Sequence, residues 1–408
     1  MAIWPRLLGR LAVHDPRRPI GPDDLFPDEG AHHAPRIVRF LARDDSPRIG
    51  VVLESAEGQP RRILDLTARH GVGPGLVDLV SAGGLKLAEQ ELERQAAAPD
   101  DADQVTLAPH DLAQRLLSPV DIDAAQIERG ERMVVGFGLT FRSHRAETNG
   151  DRAFVFPKPT QPSGAYLPVA AGVEAGAPAV LLDYELELGC VALRDIDLDR
   201  LDEIDAAADF GYLVVNDVTA REPILRDRRT GYTRAKARPT YLPCGPWIVP
   251  GTHFTRADPA SRRMVLTVTE ATARPGHHTH TLRQDAVLDD LTLGLRGLLD
   301  LLSSQRSLTM PGLDGRRWPV TAARGNRRIL PAGSLLLTGT PGGTAIRAPS
   351  PGDKLALLLR SVLHLRRPSE SYRRHLEEHR HAFGFLAPGD RISGWITGLG
   401  RQEWEVRR

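Results

Sequence analysis

AVLLDYELELGCVAL, residues 179–193, sets two glutamates, Glu185 and Glu187, inside an otherwise apolar run. Read as a strand, its side chains alternate between faces, so residues two apart share one side. The two carboxylates would then stand together and repel each other. Burying them unpaired would be costly, and a bound cation is the compensation this pattern points to.

Working outward, similar short apolar runs recur: RMVVGFGL (132–139), GYLVVNDVTA (211–220), GPWIVP (245–250), RMVLTVTEA (263–271), SLLLTGT (334–340) and RISGWITGL (391–399). They are rich in β-branched residues and bounded by Gly and Pro, which reads as strands. One amphipathic helix is expected over AVLDDLTLGLRGLLDLLSS, 286–304. The class is therefore α+β and β-rich, a mixed sandwich or roll. Upstream, residues 36–118 alternate apolar and polar and then turn helical, with a Gly-Gly break at 83–84, which predicts a small N-terminal α+β domain. Residues 1–35 read as a flexible extension, and 119–408 as the main domain. Two stretches look inserted, near 309–328 and 360–384; both are basic and are expected to be solvated decorations or dimer contacts, the alternative being that they fold over a functional site and recruit a larger or more acidic substrate.

Across 408 residues the chain is 41% hydrophobic and 26% charged, with 53 basic against 52 acidic side chains. That balance gives no reason to expect nucleic-acid or membrane binding. No apolar run approaches the ~20 residues of a membrane span. Cys190 and Cys244 cannot form a disulfide framework and fit a reducing, cytoplasmic setting.

Further polar residues sit where chemistry could use them. Asp217 closes the apolar run YLVVND, and with Glu185 and Glu187 it would give an all-oxygen site suited to Mg²⁺ or Mn²⁺. In GLTFRSHRAE (138–147), His144 and Glu147 are three apart, so on a helix they share a face. A carboxylate that orients a histidine makes a pair able to take a proton from water, although an exposed helix start would carry the same residues. Lys236 precedes a stiff, Pro-bearing segment and could face a developing oxyanion. In LLLTGTPGG (335–343), hydroxyl and bare amides at a strand end could meet an anionic group. HLEEH (375–379) has H-x-x-E-H zinc spacing, but its surroundings are too charged for a dry site. PGHHTH (275–280) reads as a loop, and GFG at 136–138 lacks the glycine and acid of a dinucleotide fold.

In linear order, GFGLTFRSHRAE, FVFPKP, LDYELELG, NDVTAR, AKARPTYLPCGPW, LRQDAVLDDL, LLLTGTPGG and FLAPGDRISGWITGLG resemble the fumarylacetoacetate hydrolase family, through its acylpyruvase-like members. The resemblance implies a β-roll-like catalytic domain that usually forms homodimers. It places Glu185, Glu187 and Asp217 as ligands of Mg²⁺, with Mn²⁺ or Ca²⁺ as substitutes. It makes His144 and Glu147 the catalytic dyad, Lys236 the active-site lysine, and Arg221, Gly339 and Thr340 substrate contacts. The implied reaction is metal-assisted hydrolysis of a carbon–carbon bond in a 2-oxo or β-diketo acid.

There are departures. Phe137 stands where fumarylacetoacetase has an aspartate, Leu139 where it has a tyrosine, and Glu147 where it has an asparagine. Ile224 replaces a glutamine common in the family, leaving the pocket more apolar and arguing against fumarylacetoacetate as substrate. Lyase or isomerase chemistry, meaning decarboxylation, tautomerisation or sugar-acid dehydration, would use the same metal site. A non-catalytic scaffold is the remaining alternative.

Overall fold

The computed structural model describes residues 34–174, 177–271, 280–348 and 368–408. Most of the N-terminal extension, His277 and His278, and the first part of the 360–384 insertion lie outside them.

The opening stretch forms the centre of the molecule. Leu186–Ala192 is a strand buried at every position, because each face enters a different core. Leu186, Leu188, Cys190 and Ala192 join one apolar cluster, and Val191 joins another with Leu213, Val215, Leu335 and Leu337. Antiparallel to it runs Phe210–Asn216, with Glu187 opposite Val215 and Leu186 opposite Asn216. On the other side Leu335–Leu337 pairs with it, and Val134–Gly138 pairs parallel to that strand. These belong to an eight-stranded sheet. A second sheet of five strands contains Thr281–Val287, Arg263–Thr269, Arg391–Ile396 and Gly400–Arg407. The two sheets approach closely: a Cβ added to Gly394 would meet Leu186 Cδ1 at 2.9 Å. Gln402 ties them together, its Nε2 donating to Val214 O and Pro243 O, both at 2.9 Å.

Ahead of this roll, Ile37–Leu41, Pro47–Ala56 and Gln59–Asp65 pair antiparallel within a five-stranded sheet. Helices Leu76–Ser81 and Gly84–Ala97 follow, separated at Gly83, whose φ of 70° supplies the expected break. This unit does not hang free. Ile37 and Ile248 exchange backbone hydrogen bonds at 2.8 and 2.9 Å, and Ile37, Ile49, Val51 and Leu64 share a core with the central sheet.

Two expectations need correction. The amphipathic helix covers only Leu295–Ser304. Residues 286 and 287 finish a strand, Leu288–Asp290 is a short 3₁₀ turn, and Thr292 is pinned by its hydroxyl to Thr140 O at 2.6 Å. Nor is the 360–384 insertion a solvated decoration where it is described. Helix Pro368–Glu378 buries Tyr372 and Leu376 against Leu181, Leu225, Ala345 and Phe385. Its arginines are spent on its own acids, Arg373 with Glu377 and Arg374 with Glu370. The 309–328 insertion folds as hairpins, with Thr309–Pro311 paired to Arg317–Pro319 and Ala322–Arg324 paired to Arg327–Leu330. Among the described residues no helix is long and apolar enough to cross a membrane.

Candidate active site

Glu185, Glu187 and Asp217 converge, one oxygen of each lying within 4.8 Å of the others, and all three are buried. The local route differs from the expected one. Glu185 is not in the strand, which begins at Leu186; it sits in the link after Leu182–Asp183. The link stays registered because Asp217 N donates to Glu185 O at 2.8 Å and Glu185 N donates to Asn216 Oδ1 at 3.2 Å. Asp217 follows directly on its strand.

Cations crowd this cluster. Lys236, at the end of helix Gly231–Lys236, donates to Glu185 Oε2 at 2.5 Å, Asp217 Oδ2 at 2.7 Å and Thr219 Oγ1 at 2.9 Å. Its place is therefore among the carboxylates and not in an open oxyanion position. Arg221 Nε donates to Asp183 Oδ2 at 2.9 Å, and its Nη2 donates to Glu185 Oε1 at 2.5 Å. Lys158, from FVFPKP, is wholly buried and donates to Asp217 Oδ1 at 2.7 Å, Lys236 O at 2.7 Å and Tyr241 O at 2.9 Å. Sequence reasoning gave Lys158 no role, although a lysine between two prolines in an apolar run signals a buried ammonium needing a carboxylate.

Four carboxylates (Asp183, Glu185, Glu187, Asp217) thus face three cations (Lys158, Arg221, Lys236), leaving one surplus negative charge. Glu187 is the carboxyl whose ionisation this imbalance disfavours. Burial, with Asp217 and Glu185 alongside, pushes its carboxyl well above the usual range, against the pull of Lys236 and the Gly339 amide. Burial also opposes ionisation of Glu185, but Arg221 and Lys236 outweigh it and hold that carboxyl low. Burial pulls Lys158 down, and Asp217 offsets this only in part. A buried, all-oxygen trio with unbalanced charge fits a hard divalent cation.

Gly339 serves this trio directly. Its N–H donates to Glu187 Oε2 at 2.7 Å, and Gly339 is not among the residues lining the adjoining cavity. Only glycine fits, since φ is 94° and an added Cβ would lie 2.0 Å from Thr140 Oγ1. Thr340 Oγ1 donates to Leu186 O at 3.0 Å and accepts from Gln284 Nε2 at 2.8 Å. Gln284, within the resembling LRQDAV segment but given no role, also accepts from Leu186 N at 2.9 Å.

His144 and Glu147 lie on helix Arg142–Thr148, as their spacing predicts. His144 Nδ1 is 3.5 Å from Glu147 Oε2, too long for a good hydrogen bond, and Nδ1 has no other partner among the described residues. Glu147 is held instead by the Gly343 N–H at 3.2 Å, with Arg347 Nε 3.6 Å from its other oxygen.

A cavity of about 520 Å³ opens over these groups. His144, Glu185, Arg221, Lys236 and Thr340 line it; Glu147, Glu187, Asp217 and Gly339 are not among its lining residues. Aromatic rings line it as well, with Phe154 and Tyr232 at 4.5 Å between centroids, Phe156 and Tyr232 at 5.7 Å, and Lys236 Nζ 5.3 Å from the Phe156 centroid. Among the described residues the carboxylate trio is the one cluster that could hold a metal; the rings of His375 and His379 lie 4.6 Å apart between centroids, tilted by 43°.

Residues 133–407 match the family model described as fumarylacetoacetate (FAA) hydrolase C-terminal. The chain belongs to the fumarylacetoacetate hydrolase family. A curated relative, 2,4-didehydro-3-deoxy-L-rhamnonate hydrolase of Sphingomonas sp. (strain SKA58), is 28% identical over 156 residues, covering 36% of this chain and 51% of its own. The chain thus spans about half the length of that relative. Among solved structures, maleylpyruvate hydrolase of Sphingobium sp. SYK-6, in complex with manganese(II) and pyruvate, superposes with a TM-score of 0.52 at 20% identity. That alignment covers 91% of this chain and 98% of the other. The fumarylacetoacetate hydrolase of psychrophilic Exiguobacterium antarcticum gives 0.52 at 21% identity, over 92% and 99%. At such identities the likeness is one of fold.

Proposed function

We propose that this enzyme of the fumarylacetoacetate hydrolase family hydrolyses a carbon–carbon bond in an acylpyruvate-type 2-oxo acid. The observation that carries the reading is the buried Glu185–Glu187–Asp217 trio at the edge of a cavity whose wall presents His144, with Glu147 at its back. Glu185, Glu187 and Asp217 would hold the ion, Mg²⁺ by the hardness of the donors. When bound, it supplies Lewis-acid polarisation of the substrate's oxo and carboxylate oxygens and a sink for enolate charge.

The chain's own groups do the rest. Glu147 faces Nδ1, which leaves Nε2 of His144 to take a proton from water and direct the resulting hydroxide at the distal carbonyl. Lys236 and Arg221 fix the rotamers of Glu185 and Asp217 and place fixed positive charge beside the site, where negative charge develops as the bond breaks. The aromatic wall keeps bulk water from the departing fragment. A homodimer is proposed on the family resemblance, and a reducing compartment on the two buried free thiols, Cys190 and Cys244.

The test is product analysis on metal-stripped protein with and without Mg²⁺, using short and long acylpyruvates, oxaloacetate and a 3-deoxy-2-oxo sugar acid. The reading predicts Mg²⁺-dependent release of pyruvate and a carboxylic acid in equal amounts. Release of CO₂, or a dehydrated but intact carbon skeleton, would contradict it and move the enzyme to the lyases.

A further inference from the structure

The 360–384 insertion is attached to the site mechanically. On its described helix, Tyr372 lines the cavity, and its hydroxyl donates to the backbone carbonyl of Arg347, another lining residue. Leu376 lies in the same small core as Tyr372, with Leu181, Leu225, Ala345 and Phe385. Leu181 stands just ahead of Glu185, and its carbonyl accepts from Arg221 N at 3.0 Å. Leu225 lies on helix Glu222–Arg226, which follows Asp217 in the chain. The insertion therefore packs on both segments that carry the carboxylates.

Among the described residues of the insertion, Tyr372 alone lines the cavity, where it joins apolar side chains from other elements. Ile224 and Leu225 line the cavity together with Ile346, Tyr372, Phe154 and Tyr232. The helix's two arginines pair with its own Glu370 and Glu377, and none of its charged residues is among those lining the cavity. A cavity of about 520 Å³ lies within the range of roughly 300–1,000 Å³ that buries drug-sized ligands, far more than a pyruvate head fills. Arg228, also among the lining residues, is exposed, so water and salt weaken its pull on a distant anion.

We propose that the insertion helix Pro368–Glu378 sets the substrate class, with Tyr372 closing a chamber that takes a large apolar tail, alkyl or aryl, on a 2-oxo acid. This rests on the 2-oxo acid reading of the site and goes beyond it by naming the tail and the element that selects it. A deeply buried apolar tail gains affinity from the area removed from water, whereas a carboxylate tail would have to be desolvated among Ile224, Leu225 and Tyr372.

The experiment is calorimetric titration of the Mg²⁺-loaded full chain with pyruvate, 2-oxo-4-phenylbutanoate and 2-oxoadipate. The proposal predicts that the phenyl compound binds at least tenfold more tightly than pyruvate, and 2-oxoadipate no more tightly than pyruvate. Tyr372→Ala should cut the phenyl-to-pyruvate affinity ratio at least fivefold, while Tyr372→Phe, which keeps the ring, preserves it. Ile224→Gln, on a different element, should also lower the ratio, so the test survives if Tyr372→Ala loosens the insertion. Equal affinities for pyruvate and the phenyl compound, or a preference for 2-oxoadipate, would overturn the proposal and leave the 2-oxo acid reading standing. Absence of binding by all three would overturn both.

Discussion

Replacing Lys158 by methionine tests the electrostatic scaffold behind the carboxylates. The ammonium is wholly buried and holds Asp217 Oδ1 at 2.7 Å, with the carbonyls of Lys236 and Tyr241 at 2.7 and 2.9 Å. Methionine fills much of the space but leaves a buried carboxylate and two carbonyls short of a donor. Breaking a buried pair from one side costs about 3–5 kcal/mol. Unfolding entropy of about 2.1 cal/mol/K per residue over 408 residues gives roughly 0.9 kcal/mol/K, so the melting temperature of the metal-free protein should fall by about 3–6 °C. The double variant Lys158→Met/Asp217→Asn removes both charges and should recover part of that loss, with coupling of about 0.5–3 kcal/mol. Differential scanning calorimetry on the four proteins reads both numbers. A single variant melting within 1 °C of wild type, or losses that simply add, would refute the claim that Lys158 anchors Asp217.

Other consequences are checked more briefly. Burial, with Asp217 and Glu185 alongside, raises the pKa of Glu187 in the metal-free protein, and the ion requires it deprotonated. Mg²⁺ affinity should therefore rise with pH up to that raised pKa and level off above it, with proton release visible as a buffer-dependent enthalpy; a pH-independent affinity would be the wrong outcome. Saturating Mg²⁺ at 100 times its dissociation constant should stabilise the fold by about 2.7 kcal/mol, and Glu185→Ala should abolish that gain in a thermal melt. Glu147→Gln should lower kcat by about 10²–10⁴-fold, the usual worth of acid–base assistance, with KM changed less than fivefold in steady-state assays.

The site's outline was legible for a physical reason. Charges inside apolar runs are expensive, so Glu185, Glu187 and Asp217 advertise a shared partner, and the structure brings their oxygens within 4.8 Å. His144 and Glu147 were legible by helical spacing, but spacing could not give the 3.5 Å gap or the Gly343 amide that holds Glu147 instead. Lys158, Gln284 and Tyr372 were missed because their meaning lies in distant partners: Asp217, Thr340 and the Arg347 carbonyl. Periodicity also misread 286–304, where Ala286 and Val287 end a strand, Leu288 lies in a 3₁₀ turn and Leu291 bridges Phe141 before the helix starts at Leu295. The insertion's charge suggested solvent exposure, yet one face of its helix is apolar, and that face packs beside the site.

The most direct test of the central claim follows the oxygen of water. An acylpyruvate turned over by the Mg²⁺-loaded enzyme in H₂¹⁸O, with products analysed by mass spectrometry, should yield a carboxylic acid carrying one ¹⁸O from the attack that His144 promotes. His144→Ala should suppress both turnover and labelling. Turnover that releases CO₂, or leaves the acid unlabelled, would contradict hydrolysis at this site.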